Sequence, residues 1–191
     1  MGQPGWVTLP VQAPARQAPA RQAPALCVVI MGPKAAGKSR VADVLDRCCA
    51  VHHVDPDEVI LRLLALGERP DPETGWLAQV EDALDGALRM HDRISTEATG
   101  AWDSDWQLIR DLGSRGVIVR TIWVEAPLDV TLTRLAERSE RKVPTTPEEA
   151  TWYYREATRK AHQATFDLVL DGNGDLGDAT VVSKARPLLN A

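Results

Sequence analysis

Leu26-Cys-Val-Val-Ile-Met31 runs straight into Gly32-Pro33-Lys34-Ala35-Ala36-Gly37-Lys38-Ser39, and this junction decides how the chain reads. An apolar run without alternation fits a strand buried on both faces. The residues after it satisfy G-x-x-x-x-G-K-[ST] at every specified position. Beyond them Val41, Val44, Leu45 and Cys48 recur at helical spacing. A buried strand, a glycine-bordered turn and an amphipathic helix together read as a phosphate-binding loop. Gly32 and Gly37 let the backbone fold tightly, so that successive N–H groups face an anion. The helix N-terminus adds its partial positive charge. Residues expected to contact nucleotide are Gly32, Pro33, Lys34, Ala35, Ala36, Gly37, Lys38, Ser39 and Arg40. Lys38 should reach the β- and γ-phosphates of ATP, and the Ser39 hydroxyl should bind Mg²⁺. At average residue frequencies the pattern arises by chance in roughly one chain in a hundred or fewer.

Outward from this loop, strands and helices alternate. Ala50 to Val54 reads as a second strand. Asp55-Pro56-Asp57-Glu58 opens a helix, with Asp55 as N-cap, Pro56 at the first helical position and Glu58 closing a capping box. Val59, Ile60, Leu63 and Leu64 form its buried face. Trp76 to Met90 is helical, Arg93 to Thr96 a third strand, and Trp102 to Leu112 a helix ended near Gly113. Gly116 to Val124 is a fourth strand, and Leu128, Leu132 and Leu135 mark the next helix. Thr146-Pro147-Glu148-Glu149 is a second capping box, Phe166 to Leu170 a fifth strand, and a last helix starts near Asp178. This order predicts a three-layer α/β fold of the P-loop NTPase type, a five-stranded parallel sheet with helices on both faces. Ligands in such sheets sit beyond the C-terminal ends of the strands.

Residues 1 to about 25 differ in kind. Ala-Pro-Ala-Arg-Gln stands at 13–17 and again at 18–22, and proline at this density favours extended, solvated chain. The expected division is a disordered tail over 1–25 and one kinase domain over 26–191, with a lid at about 138–147. A length of 191 residues is enough for such a domain to bury a core. Net charge is -5, which argues against non-specific coating of nucleic acid, although a local basic groove stays compatible with it. Cys27, Cys48 and Cys49 lack a metal spacing and read as buried thiols of a reducing compartment. No apolar run reaches membrane-spanning length and no signal-peptide core opens the chain, so the expected location is cytoplasmic.

Phosphoryl transfer to a hydroxyl needs a group to take or orient the proton, and cations over the moving phosphoryl. Asp57 lies just past the second strand and is the candidate base, although helix dipoles alone favour first-turn acids. Glu97, expected just after the third strand, could contact acceptor or metal. Arg134, Arg138, Arg141 and Lys142 lead out of the helix after the fourth strand. Arg138 and Arg141 are placed in a lid that closes over ATP, against the alternative of a solvated helix face. Trp102 and Trp106 could stack on a base, but their spacing fits core packing better. His52 and His53 lack the partners of a metal site.

These motifs resemble the P-loop kinases of the polynucleotide-kinase and zeta-toxin group over residues 26 to about 171. Val54-Asp55-Pro56-Asp57 resembles the strand-end D-x-D whose second acid is that group's general base, which points to Asp57. Glu97-Ala98-Thr99-Gly100 is similar to the zeta-toxin E-G-T-G, whose acid contacts the acceptor. Arg138-x-x-Arg141 before Val143-Pro144 is similar to the polynucleotide-kinase lid. Where the polynucleotide kinase has a phosphate-gripping arginine three residues after the base, this chain has Ile60. Where zeta toxins carry an arginine after E-G-T-G, it has Ala101-Trp102-Asp103. The resemblance implies an ATP- and Mg²⁺-dependent kinase acting on a hydroxyl. The favoured acceptor is a nucleotide or nucleic acid, either a 5′-hydroxyl end or a hydroxymethylated base of DNA, which makes DNA modification one expected role. A small-metabolite or sugar-nucleotide kinase is the alternative, including one with zeta-toxin action. A non-kinase NTPase switch stands behind both, lacking an N-K-x-D motif. The sequence leaves oligomeric state open.

Overall fold

The computed structural model describes residues 24–69, 77–137 and 145–190. Most of the tail and the lid residues 138–144, Arg138 and Arg141 among them, lie outside these. Among the described residues the chain alternates strictly at first: β1 (Leu26–Met31), α1 (Lys38–Cys49), β2 (His52–Val54) and α2 (Pro56–Ala65). Next come α3 (Leu77–Met90), β3 (Arg93–Ala98), α4 (Asp103–Ser114) and β4 (Ile118–Glu125). The remainder is α5 (Leu128–Ala136), α6 (Pro147–Ala161), β5 (Leu168–Asp171) and α7 (Asp178–Leu189).

The strands form one parallel sheet in the order β2-β3-β1-β4-β5. β1 is central, with β3 on one side and β4 on the other, so the chain reverses its direction of winding around it. That switch point is where open α/β sheets bind ligands. β1 is buried throughout because both its faces are covered. Leu26, Val28 and Ile30 face the layer made by α1 and α7. Cys27, Val29 and Met31 face the layer of α2, α3, α4 and α6. α1 seats Val41, Val44 and Leu45 on the sheet, each fully buried.

The helix signals operate as chemistry predicts. The Asp55 carboxylate caps α2 by accepting from the Asp57 N–H at 2.9 Å, one residue nearer than the Glu58 contact a capping box would use. Thr146 and Glu149 exchange both capping-box bonds at the start of α6. Boundaries differ more. β2 is limited to His52–Val54, because Ala50 takes a left-handed conformation (φ 53°) that closes α1. Gly113 lies inside α4 rather than ending it. Leu64 is 46% exposed, so the apolar face of α2 is narrower than its periodicity implies.

The cysteines also divide. Cys27 is buried, and desolvation pushes its thiol up to about 12. Cys48 is exposed beside Asp178 of α7, and Cys49 is partly buried. No helix among the described residues is long and apolar enough to cross a membrane.

Across α1 and α7, Arg40 and Arg47 both pair with Asp178, at 2.6 and 3.1 Å, and both also reach Asp43. All four side chains are nearly half exposed, so water screens each pair and little stability comes from it. Burial therefore outweighs charge in holding α1 down. Leu45→Ala should cost about 2–5 kcal/mol in urea denaturation, whereas Arg47→Ala should shift the midpoint far less. The reverse order would mean that the ion network, not the apolar face, seats the helix.

Candidate active site

The phosphate loop follows β1 and is confined on two sides. Gly32 has φ +147°, and a Cβ there would stand 2.2 Å from the Val124 carbonyl oxygen of β4. Gly172, just past β5, approaches so closely that its own Cβ would stand 2.0 Å from the Ala36 carbonyl oxygen. Its N–H donates to Glu125 O, fixing the β5 end to the β4 end. Ala35 adopts φ +62°, a left-handed conformation uncommon for residues with a Cβ. Such strain persists where surrounding structure over-determines the backbone.

Lys38 opens α1 and is only 7% exposed. Its ammonium donates to Gly32 O at 2.9 Å and Pro33 O at 3.0 Å, which places the charge in the curl of the loop. Ser39 is half-buried in the first helical turn. Beside it lies a cavity of about 420 Å³ lined by Ala35, Gly37, Ser39, Arg40, Arg134, Gly172, Gly174 and Leu176. Arg134 reaches into this wall from α5 and donates to Gly172 O at 2.8 Å. The Arg40 guanidinium lies at the rim on Asp43 and Asp178.

On the other side of the loop, Asp57 and Glu97 stand at neighbouring strand ends. Glu97 does not follow β3, as its turn-like neighbours imply, but belongs to it, in register with Ile30 of β1. Asp57 sits in the first turn of α2, past β2, and is half-buried. With strands about 4.8 Å apart, β2 lies about 10 Å from β1 across the sheet, with β3 between them. Glu97 has a neighbour that sequence reading passed over. The His53 ring shares a 3.1 Å hydrogen bond between Nδ1 and Ser95 Oγ. Its Nε2 lies 3.6 Å from Glu97 Oε1. Alternation along β2 and β3 puts all three on one face, a signal available from spacing once the register is known.

Asp105 was likewise missed. Its carboxylate accepts from the Thr99 hydroxyl at 2.9 Å and from the Gly100 N–H at 2.7 Å, and so clasps the turn between β3 and α4. Burial raises its pKa above the ordinary value, against those two bonds and the Lys38 charge, which lower it. The two tryptophans separate. Trp106 packs inward against Phe166 and donates to Gly100 O at 3.0 Å, whereas Trp102 is 49% exposed rather than core. A further cavity of about 460 Å³ lies between α6 and the ends of β4 and β5, and neither Lys38, Asp57 nor Glu97 lines it.

Residues 27–167 match the model of the AAA domain family. The chain belongs to that family. Among relatives of this AAA-domain chain is a cytidylate kinase of Haloquadratum walsbyi, 28% identical over 146 residues, 75% of this chain and 74% of that one. Its fold is that of small P-loop kinases. The shikimate kinase from Acinetobacter baumannii in complex with shikimate superposes with a TM-score of 0.60 at 13% identity, covering 86% of this chain and 93% of that one. The Mycobacterium tuberculosis APS kinase CysC in complex with AMPPNP and APS gives 0.59 at 16% identity, covering 88% and 99%.

Two outcomes follow from the geometry. Gly172→Ala should displace the phosphate loop, lowering ATP affinity and costing about 1–3 kcal/mol of stability. Gly113→Ala, where a Cβ meets nothing within 4 Å, should be stabilising by about 0.5–1 kcal/mol. Calorimetric ATP titration and thermal melts distinguish them, and unchanged ATP binding by Gly172→Ala would show that the contact does not shape the loop. For Asp105, a folded pKa raised above the unfolded value of about 3.9 means folding favours the protonated acid. Its contribution is complete below that unfolded value and is lost as pH rises through the folded one. Asp105→Asn, which keeps an acceptor oxygen, should therefore match or exceed the parent at pH 8 and lose that relative advantage near pH 4. Asp105→Ala should be weaker at both, and equal stability of all three would exclude the clasp.

Proposed function

We propose that this chain is an ATP- and Mg²⁺-dependent kinase that phosphorylates a hydroxyl on a nucleotide or nucleic acid. The observation that carries the reading is the arrangement across three adjacent strand ends. The phosphate loop with buried Lys38 follows β1, and the carboxylates Glu97 and Asp57 stand at β3 and β2 beside it. Relatives and structural neighbours named as kinases support it, as does the D-x-D resemblance at Asp55 and Asp57.

The loop N–H groups and Lys38 hold the β- and γ-phosphates. Mg²⁺ fits the oxygen donors available, since this ion takes one or two protein oxygens and completes its shell with phosphate and water. Ser39 would hold it, with Glu97 directed to the metal or the acceptor, and no cluster of three or more acidic, His or Cys ligands stands among the described residues. When bound, Mg²⁺ neutralises charge developing on the phosphate oxygens. Asp57 takes the proton from the acceptor hydroxyl. The acceptor oxygen forms a bond to the γ-phosphorus, the bond to the β–γ bridging oxygen breaks, and ADP leaves with those electrons. His53, held by Ser95, orients Glu97. Arg138 and Arg141 would close from the lid over the transferring group, while Arg134 shapes the nucleotide cavity through Gly172.

The test is γ-labelled ATP offered with single-stranded and duplex DNA carrying 5′-hydroxyl or hydroxymethylated bases, RNA, nucleotides, shikimate and gluconate. Label should appear on a nucleotide or nucleic acid. It should fall at least about 100-fold in Asp57→Asn with ATP affinity retained, in line with the loss of a positioned base. Lys38→Ala should abolish transfer. Label on shikimate or gluconate alone would establish a metabolite kinase, and label only as free phosphate would establish an NTPase switch.

A further inference from the structure

Three large rings meet at the surface where the start of α4 approaches the first turns of α6. Trp102 and Trp152 lie with centroids 4.8 Å apart, and Tyr153 meets both edge-on, at 6.0 and 5.2 Å. Trp102 is 49% exposed and Trp152 43%. A side chain of this size at a site with structural purpose alone is ordinarily covered, and here two adjacent ones are each nearly half exposed.

The location is particular. Lys34, in the phosphate loop itself, holds its ammonium 5.3 Å from the centre of the Tyr153 ring. The platform therefore begins where the loop ends, on the layer that also carries α2 and Asp57. It is also rigidly mounted. Asp105 clasps the turn just before Trp102, Trp106 bonds the same turn through Gly100 O, and Lys160 of α6 grips Asp103 of α4 at 2.7 Å. That ion pair leaves the Asp103 side chain 98% exposed, so a charged pair borders the rings on the α4 side. Ring faces recognise flat π-systems, and nucleobases stack on them whatever their identity. A nearby ammonium suits a phosphate attached to such a base.

We propose that Trp102, Trp152 and Tyr153 form an acceptor platform on which a nucleobase stacks, its attached phosphate meeting Lys34. The assignment rests on reading the cleft as a phosphoryl-transfer site, and it narrows the acceptor to base-bearing molecules, mononucleotide or single strand. It excludes ring-free polyhydroxy acids as preferred acceptors.

The test uses 2-aminopurine, whose fluorescence is quenched on stacking, in two probes: the riboside 5′-monophosphate and a pentanucleotide with 2-aminopurine flanked by thymidines. Saturating AMPPNP and Mg²⁺ keep both probes out of the ATP site. The parent chain should quench at least one probe. Trp102→Ala and Trp152→Ala should each weaken that binding by about five- to 150-fold. Trp102→Phe and Trp152→Phe, which keep a ring face, should recover most of it, and AMPPNP affinity should stay within about twofold as a control on folding. Tighter binding of the pentanucleotide identifies a strand, and equal binding a mononucleotide. No quenching by the parent chain, or equal quenching by the Trp102→Ala, Trp152→Ala double variant, would overturn the platform. Tryptophan-dependent binding without transfer of label to any acceptor would keep the platform and remove the kinase reading. Transfer to an acceptor whose binding ignores both tryptophans would do the opposite.

Discussion

The phosphate loop has its shape because neighbouring backbone leaves it no other. The Val124 carbonyl closes on Gly32 from β4, and Gly172 closes on Ala36 from beyond β5. Neither contact tolerates a side chain, so the loop is formed by strand ends that lie far apart in sequence and adjacent in the sheet. The left-handed turn at Ala35 and the enclosure of Lys38 by Gly32 O and Pro33 O are consequences of that confinement. A loop held this way meets a polyanion without first having to be ordered, which saves entropy at the moment of binding.

The rest of the sheet distributes chemistry around that seat. On the β4–β5 side, Arg134 and the Gly172–Leu176 segment wall a cavity beside Ser39. On the β3–β2 side, the strand ends carry Glu97 and Asp57, with His53 and Ser95 packed behind Glu97. The seat divides the two, and it occupies the point where parallel winding changes direction. Crossover geometry thus leaves the loop open to a ligand on either flank, which is what the proposed transfer requires. The aromatic surface at Trp102 and Trp152 adjoins the loop through Tyr153, whose ring lies beside Lys34.

Much of this was legible in local patterns. The unbroken apolar run of β1 and the full loop motif identified the nucleotide side, because both are short-range signals set by backbone requirements. The capping box at Thr146 and Glu149 was equally readable, since its bonds close within four residues. What escaped depended on register. Whether Glu97 ends a strand or follows it is decided by pairing with Ile30, which no local rule contains. His53, Ser95 and Glu97 share a face only because β2 and β3 align as they do. Trp102 and Trp106 have helical spacing, yet only Trp106 is within the core, because Trp102 precedes the first helical turn and points to α6 instead. Cys48 shows the converse, a periodic apolar position that falls outside the arc of α1 touching the sheet.

The seat itself can be tested through backbone amide hydrogen exchange, followed by mass spectrometry with and without AMPPNP and Mg²⁺. The N–H groups of the loop and of the first turn of α1 should become strongly protected, with the Gly172–Leu176 segment slowed alongside them. Protection confined to other segments, or none with nucleotide demonstrably bound, would contradict the placement of the triphosphate in this loop.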